Sequence, residues 1–335
     1  MTQTLLETPE YLVRRPRRNR KDSSIRSLIQ ETRLHPSNLV APLFIIEGQN
    51  EKQALPSLPG VYRYSVDFLI QEVQELYQLG IRAVDLFPII PPERKDPFGS
   101  ESLRPGNLLQ TTLEALKREI PEMCLMVDIA LDPYTDHGHD GLVTEEGEID
   151  NDTTLDVLAE MSLNAADAGA DVIAPSDMMD GRVAHIRHKL DSYGHTNVNI
   201  LSYAAKYASA LYGPFRDTLG SGLKKGDKKS YQMNPANVRE ALIECTLDEL
   251  EGADFLMIKP ALSYLDVIAK VREQTNLPIA AFHVSGEYAM VLAAAEKGWC
   301  DADKVLWEHL TAIKRAGADF ILTYAAKGFA KNLLN

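Results

Sequence analysis

The chain has 335 residues, of which 45% are hydrophobic and 25% charged, and its net charge is −13. That balance describes a folded globular protein with a large core and excludes collagen-like, disordered and disulfide-scaffold classes. Cys124, Cys245 and Cys300 form no CxxC pair, no run reaches 18 apolar residues, and no basic segment followed by an apolar one opens the chain, so a cytoplasmic protein without a membrane span is expected.

In chain order, the first segment is basic. Arg14, Arg15, Arg17, Arg18, Arg20 and Lys21 face only Glu7 and Glu10 in residues 1–21, which leaves 29 basic and 46 acidic residues, a charge of −17, for the body. An acidic body repels nucleic-acid phosphates, so residues 1–25 read as an arm for subunit contacts rather than as an RNA-binding tail. Buried strands are then expected at Leu39–Ile46, Ala83–Pro88, Met123–Leu131, Val172–Pro175, Val198–Ser202, Phe255–Lys259, Ile279–Val284 and Phe320–Tyr324. Each is a short, nearly continuous apolar run, the pattern of a parallel sheet covered on both faces. Between them lie stretches of helical period, including 151–168, 235–251, 262–275, 286–297 and 302–316. Four strands share a preface: Gly80-Ile81-Arg82, Gly169-Ala170-Asp171, Gly252-Ala253-Asp254 and Gly317-Ala318-Asp319. There a glycine closes a helix and a strand follows within three residues. Eight such units predict one (β/α)₈ barrel over 26–335. The alternative, an open doubly wound sheet, usually carries a Gly-rich phosphate loop after its first strand, where this chain has Glu47-Gly48-Gln49-Asn50.

In such a barrel the functional residues collect at the carboxyl ends of the strands. Lys259 closes a strand that is otherwise wholly apolar, a costly place for a charge unless it is paired or neutral. Lys206 follows Ser202-Tyr203-Ala204-Ala205 on the adjoining unit. Read alone, it is as compatible with a surface helix as with a site. Two ammonium groups in one barrel mouth repel, which lowers at least one pKa toward neutrality, and a neutral amine attacks a ketone to form an imine. Carbonyl chemistry follows. A class I aldolase needs one such lysine and leaves the second unexplained.

Longer segments carry a family resemblance. DIALDPYTDHGHDGL (128–142), APSDMMDGRVA (174–184), LSYAAKYASA (201–210), YGPFRDT (212–218), SYQMNPANV (230–238), MIKPA (257–261) and HVSGEYAMV (283–291) closely resemble the porphobilinogen synthase (5-aminolevulinic acid dehydratase) family. The resemblance implies a (β/α)₈ barrel with an N-terminal arm, usually octameric, that condenses two 5-aminolevulinate molecules to porphobilinogen with loss of two waters. By that resemblance Lys206 and Lys259 are the Schiff-base lysines, Ser285 and Tyr324 hold one substrate carboxylate, and Arg216 and Lys228 hold the other. Asp128 and Ser176 line an amine pocket. Tyr212 and Gln232 belong to a flap over 212–232, whose Gly220–Lys229 stretch reads as a mobile cationic cover.

Two departures from the family pattern matter. Lys228 stands where the family often has arginine, keeping the charge and losing the bidentate fork. Zinc-using relatives have cysteines where this chain has Ala130, Asp132 and Asp140. The chain therefore resembles the zinc-independent, magnesium-responsive branch, with allosteric magnesium on Glu244 and no zinc expected. Asp132 and Asp140 remain possible carboxylate ligands. His137 and His139 read as loop structure.

Overall fold

Eight buried parallel strands close on themselves in the computed structural model, which describes residues 14–220, 222–223 and 226–334. They are β1 (Leu39–Ile45), β2 (Ala83–Pro88), β3 (Cys124–Ile129), β4 (Val172–Pro175), β5 (Asn199–Lys206), β6 (Phe255–Lys259), β7 (Ile279–His283) and β8 (Phe320–Thr323). Each pairs with the next, and β8 returns to β1 through Leu39↔Ile321 and Val40↔Leu322. Apolar side chains fill both the lumen and the layer beneath the surrounding helices, which is why the strands read as unbroken apolar runs. The expected (β/α)₈ barrel is the fold.

The four prefaces are explained by the backbone. Gly80, Gly169, Gly252 and Gly317 have φ of 89°, 105°, 103° and 128°, a region that disfavours any side chain. The aspartates that follow three of them latch neighbouring strands together at the foot of the barrel. Asp171 accepts from the Leu125 amide of β3 at 2.8 Å, Asp254 from the Ile200 amide of β5 at 2.7 Å, and Asp319 from the Ile279 amide of β7 at 2.8 Å. A repeated Gly-Ala-Asp thus ends a helix and ties the next strand to the one before it.

The fifth strand differs from its expected extent. It runs to Lys206 instead of ending at Ser202, so Lys206 is a strand residue and not a helical one. Its register with β6 shifts between Leu256 and Ile258: Leu256 faces Ser202, Ile258 faces Ala205, and Lys259 faces Lys206. One extra residue is accommodated in β5 as a bulge. Ala204 and Ala205, which precede Lys206, are buried within the strand.

Over the mouth lies α1 (Gly213–Leu219), inside the expected flap. Its last carbonyls take cationic donors: Arg63 donates to Thr218 O at 2.5 Å, and Lys95 Nζ to Leu219 O at 3.4 Å and Gly220 O at 3.3 Å. Further along come α2 (Arg239–Leu250) and α3 (Ser285–Glu296). At Gly286 a Cβ would lie 2.5 Å from Leu211 O, so only glycine lets the start of α3 approach the root of the flap this closely. Lys224 and Lys225 of the flap are outside the described residues.

The chain divides between Arg33 and Leu34. Before that division, Pro16–Arg20 forms a 3₁₀ turn and Ser23–Leu28 a short helix. Asp22 caps the helix by accepting from the Ile25 amide at 2.9 Å. The first half of the expected arm, residues 1–13, is outside the described residues.

Candidate active site

Two lysines from adjoining strands face each other at the barrel mouth, in different surroundings. The Lys259 amine is enclosed by ring faces, with Nζ 4.3 Å from the centroid of Phe282, 4.9 Å from Tyr203, 5.1 Å from Phe215 and 5.6 Å from Tyr212. Burial disfavours its charge, and the neighbouring Lys206 ammonium adds to the effect. Asp128 and Asp85 oppose it, and the balance brings the amine down to about 8. A substantial neutral fraction at ordinary pH is what a nucleophilic amine needs.

Lys206 is instead hydrogen-bonded. Its Nζ donates to Asp140 Oδ2 at 3.3 Å and to the carbonyl of Ser176. Asp140 also accepts from Lys228 Nζ at 2.6 Å and from Gln232 Nε2 at 3.4 Å. Burial would raise this carboxyl, but the Lys206 and Lys228 ammonium groups outweigh it and hold the carboxyl well below the usual range. Lys228 also reaches Asp132 Oδ2 at 3.5 Å. Lys228 is 6% exposed, so it is a buried group reaching into the mouth and not part of a solvated cover. The two aspartates weighed as metal positions thus face ammonium groups. Among the described residues, no group of three or more His, Cys, Asp or Glu side chains is set to hold a metal ion.

The remaining expected residues gather around this pair. Asp128, Asp132, Ser176, Tyr212, Arg216, Lys228 and Gln232 line one cavity with both lysines, of only about 30 Å³. That leaves room for no more than a few waters in this arrangement of side chains. Tyr212 hangs from the strand ends, its hydroxyl donating to Tyr207 O at 2.8 Å and Lys259 O at 3.2 Å. Ser285 Oγ accepts from the Phe215 amide at 3.1 Å, joining α3 to the flap helix. The Tyr324 hydroxyl is buried without a hydrogen-bond partner, and its ring packs against Phe282 and Phe44. His139 Nδ1 lies 3.1 Å from the Tyr231 hydroxyl, and His137 Nε2 lies 3.2 Å from Pro97 O.

Glu244 is elsewhere. It stands on α2 and lines a separate cavity of about 1060 Å³ together with Asp180, Glu240 and Asn151. Burial raises its carboxyl to about 7; Arg182 opposes the shift, and Asp248, Asp180 and Glu240 add to it.

One charged residue of the lumen escaped the sequence reading. Asp85, in the middle of β2, is fully buried, with the Tyr203 hydroxyl 3.5 Å from Oδ2 and no partner for Oδ1. Its signal was the one that marked Lys259: a charge inside an apolar strand.

Residues 13–332 match the sequence profile of the family described as delta-aminolevulinic acid dehydratase. The chain belongs to the delta-aminolevulinic acid dehydratase family. A dehydratase of that name from Chlamydia pneumoniae is 54% identical over 315 residues, covering 94% of this chain and 95% of the relative. One from Bacillus subtilis is 49% identical over 317 residues, covering 95% and 97%. A crystal structure from Toxoplasma gondii ME49, described as delta-aminolevulinic acid dehydratase (porphobilinogen synthase) in complex with the reaction product porphobilinogen, is 50% identical. It superposes with a TM-score of 0.93, covering 95% of this chain and 91% of that one. The chain is thus a lyase with porphobilinogen synthase function. No described helix is long and apolar enough to cross a membrane.

Proposed function

We propose that the condensation runs through two Schiff bases, one on Lys259 and one on Lys206. The observation that carries this reading is the pairing of two amines across adjoining strands, one of them brought down to about 8 by burial and by its neighbour. Lys259 attacks the ketone of one 5-aminolevulinate in its neutral form, water leaves, and the resulting iminium acidifies the adjacent carbon for bond formation. Lys206 forms the second iminium, whose carbon is the electrophile that accepts the new bond, and the free amine of that substrate attacks the Lys259-bound carbon, closing the ring and releasing the lysine. Ser285 and Tyr324 hold one carboxylate. Arg216 and Lys228 supply the cationic end for the other, while Asp128 and Ser176 receive the amine. Tyr212 and Gln232 belong to the flap, a mobile cover over the two lysines.

For metals, we assign the chain to the zinc-independent, magnesium-responsive branch. Ala130, Asp132 and Asp140 offer no thiolate, and Asp140 is already engaged by two ammonium groups. Glu244 has the donor chemistry for hydrated magnesium: a hard oxygen, half-buried, crowded by carboxylates that a dication would relieve. Magnesium there acts on assembly, with a homo-octamer as the active form. Three free cysteines fit a reducing cytoplasm. Borohydride reduction in the presence of 5-aminolevulinate tests the central step. Mass added to the peptides containing Lys206 and Lys259 supports it, and unmodified lysines with turnover intact reject it.

A further inference from the structure

The lumen beneath Lys259 contains more ionisable groups than substrate binding uses. Asp85 is fully buried, one carboxylate oxygen has no partner, and the other is 3.5 Å from the Tyr203 hydroxyl. The Tyr203 ring is also one of the faces against the Lys259 amine, at 4.9 Å, so one side chain touches both. Asp85 pairs in register with Met126 of β3, and Asp128 lies two residues further along that strand. Asp128 therefore points the same way, one layer nearer the mouth. Tyr324 completes the group, its buried hydroxyl without a partner and close enough to feel both carboxyls. The charged and titratable groups that face Asp85 are thus Asp128 from β3, Tyr203 from β5, Lys259 from β6 and Tyr324 from the end of β8.

Two buried carboxyls this close, facing one amine whose own charge burial disfavours, do not both ionise. Burial and Asp128 push the Asp85 carboxyl up, and Lys259 only partly opposes them. The chemistry changes this balance. A neutral amine becomes an iminium whose positive charge is set inside a wall of ring faces and apolar side chains.

We propose that Asp85 is a positioning residue for Lys259: its carboxyl gives up a proton as the Lys259 imine becomes an iminium and takes it back on hydrolysis, so the net charge of the buried cluster stays constant. This rests on the Schiff-base reading above. In the balanced step, the ketone oxygen leaves as water with the two hydrogens of the Lys259 amine. The proton that turns the imine into an iminium comes from the Asp85 carboxyl by way of the Tyr203 hydroxyl, which passes one proton on as it receives another. A carboxylate remains beneath the cation. Asp85 does not line the lysine cavity, and its effect passes through Tyr203 and Lys259.

The test compares Asp85→Asn and Asp85→Leu with the unaltered protein in two assays: the pH profile of kcat and KM, and borohydride trapping resolved by peptide. Trapping at Lys259 and kcat are expected to fall about a hundredfold in both variants, the low end for a positioned proton donor, with KM little changed. Trapping at Lys206 should persist as the internal control. Asp85→Leu removes an unsatisfied buried group, so it should melt at or above the unaltered protein and separate folding from chemistry. Trapping at Lys259 and a kcat profile that are unchanged in both variants overturn the proposal alone. If the unaltered protein itself takes no label at Lys259, the Schiff-base reading falls, and this inference with it.

Discussion

Lys206 stands opposite Lys259 because β5 carries one residue more than β6 over the same span. An unbroken ladder from Leu256 and Ser202 would set Ala205 against Lys259 and turn Lys206 toward the helical layer, since a one-residue slip reverses every side chain. The bulge brings two amines together where the lumen opens.

The pairing has a pH consequence. Lys259 is brought down to about 8, so only about a tenth of it is neutral at pH 7 and most is neutral at pH 9. Imine formation at Lys259 with a simple 4-oxo acid should rise across that window and level off above it. Lys206→Met removes the neighbouring ammonium, which lets the Lys259 amine climb, so the rise should move to higher pH. Stopped borohydride trapping at Lys259 across pH 6–10 measures both curves. Superimposable curves would mean that Lys206 exerts no influence on its neighbour.

Asp140→Asn tests the acceptor shared by Lys206 and Lys228. The change leaves buried Lys206 without its carboxylate and Lys228 with only Asp132 at 3.5 Å, and breaking a buried pair typically costs ~3–5 kcal/mol. Thermal melting should show that loss together with a fall in kcat/KM of about a hundredfold or more. A stable, active Asp140→Asn would mean that Asp132 suffices for Lys228.

Gly286→Ala should loosen the root of the flap. Its Cβ would meet the Leu211 carbonyl at 2.5 Å, so strand end and helix must part, a strain of about 1–3 kcal/mol. Since Ser285 holds the Phe215 amide beside it, activity should drop more than the melting temperature indicates. Proteolytic nicking within 212–232 gives a direct readout of the loosened segment.

Glu244→Ala should remove most of the magnesium response and keep basal turnover, because Glu244 lies outside the lysine cavity. A ligand that binds only the assembled form stabilises it by mass action, so sedimentation should show magnesium-dependent assembly in the unaltered protein alone. With its carboxyl raised to about 7, Glu244 takes up a proton as the pH falls below that value, and the response should fade with it. A full response in Glu244→Ala would send the ion to another site.

Which of these features the sequence discloses depends on how local their cause is. The strands and the glycines between them are local: an apolar run, a helical period and a positive φ leave marks within a few residues. Lys259 was legible for the same reason, a charge that its own strand does not tolerate. Asp85 carried an identical mark and was passed over because it lies mid-strand, not at the end where a barrel keeps its site. Lys206 was ambiguous because a bulge depends on two strands, and Ala-Ala suits helix and strand alike. The partners of Asp140 lie 66 and 88 residues further along, and nothing in the sequence links them.

The ring faces around Lys259 also set the two amines apart in how readily they turn over. An ammonium has three N–H donors and a protonated imine only one. Lys206 must surrender contacts with Asp140 and the Ser176 carbonyl to make that exchange. Lys259, held by aromatic faces that attract a cation whatever its donor count, gives up no comparable contact. On the two-Schiff-base reading, the covalent links form at unequal cost: a scarce first substrate goes to Lys259, while Lys206 stays bridged until the second arrives with its own charges to replace what the lysine lets go.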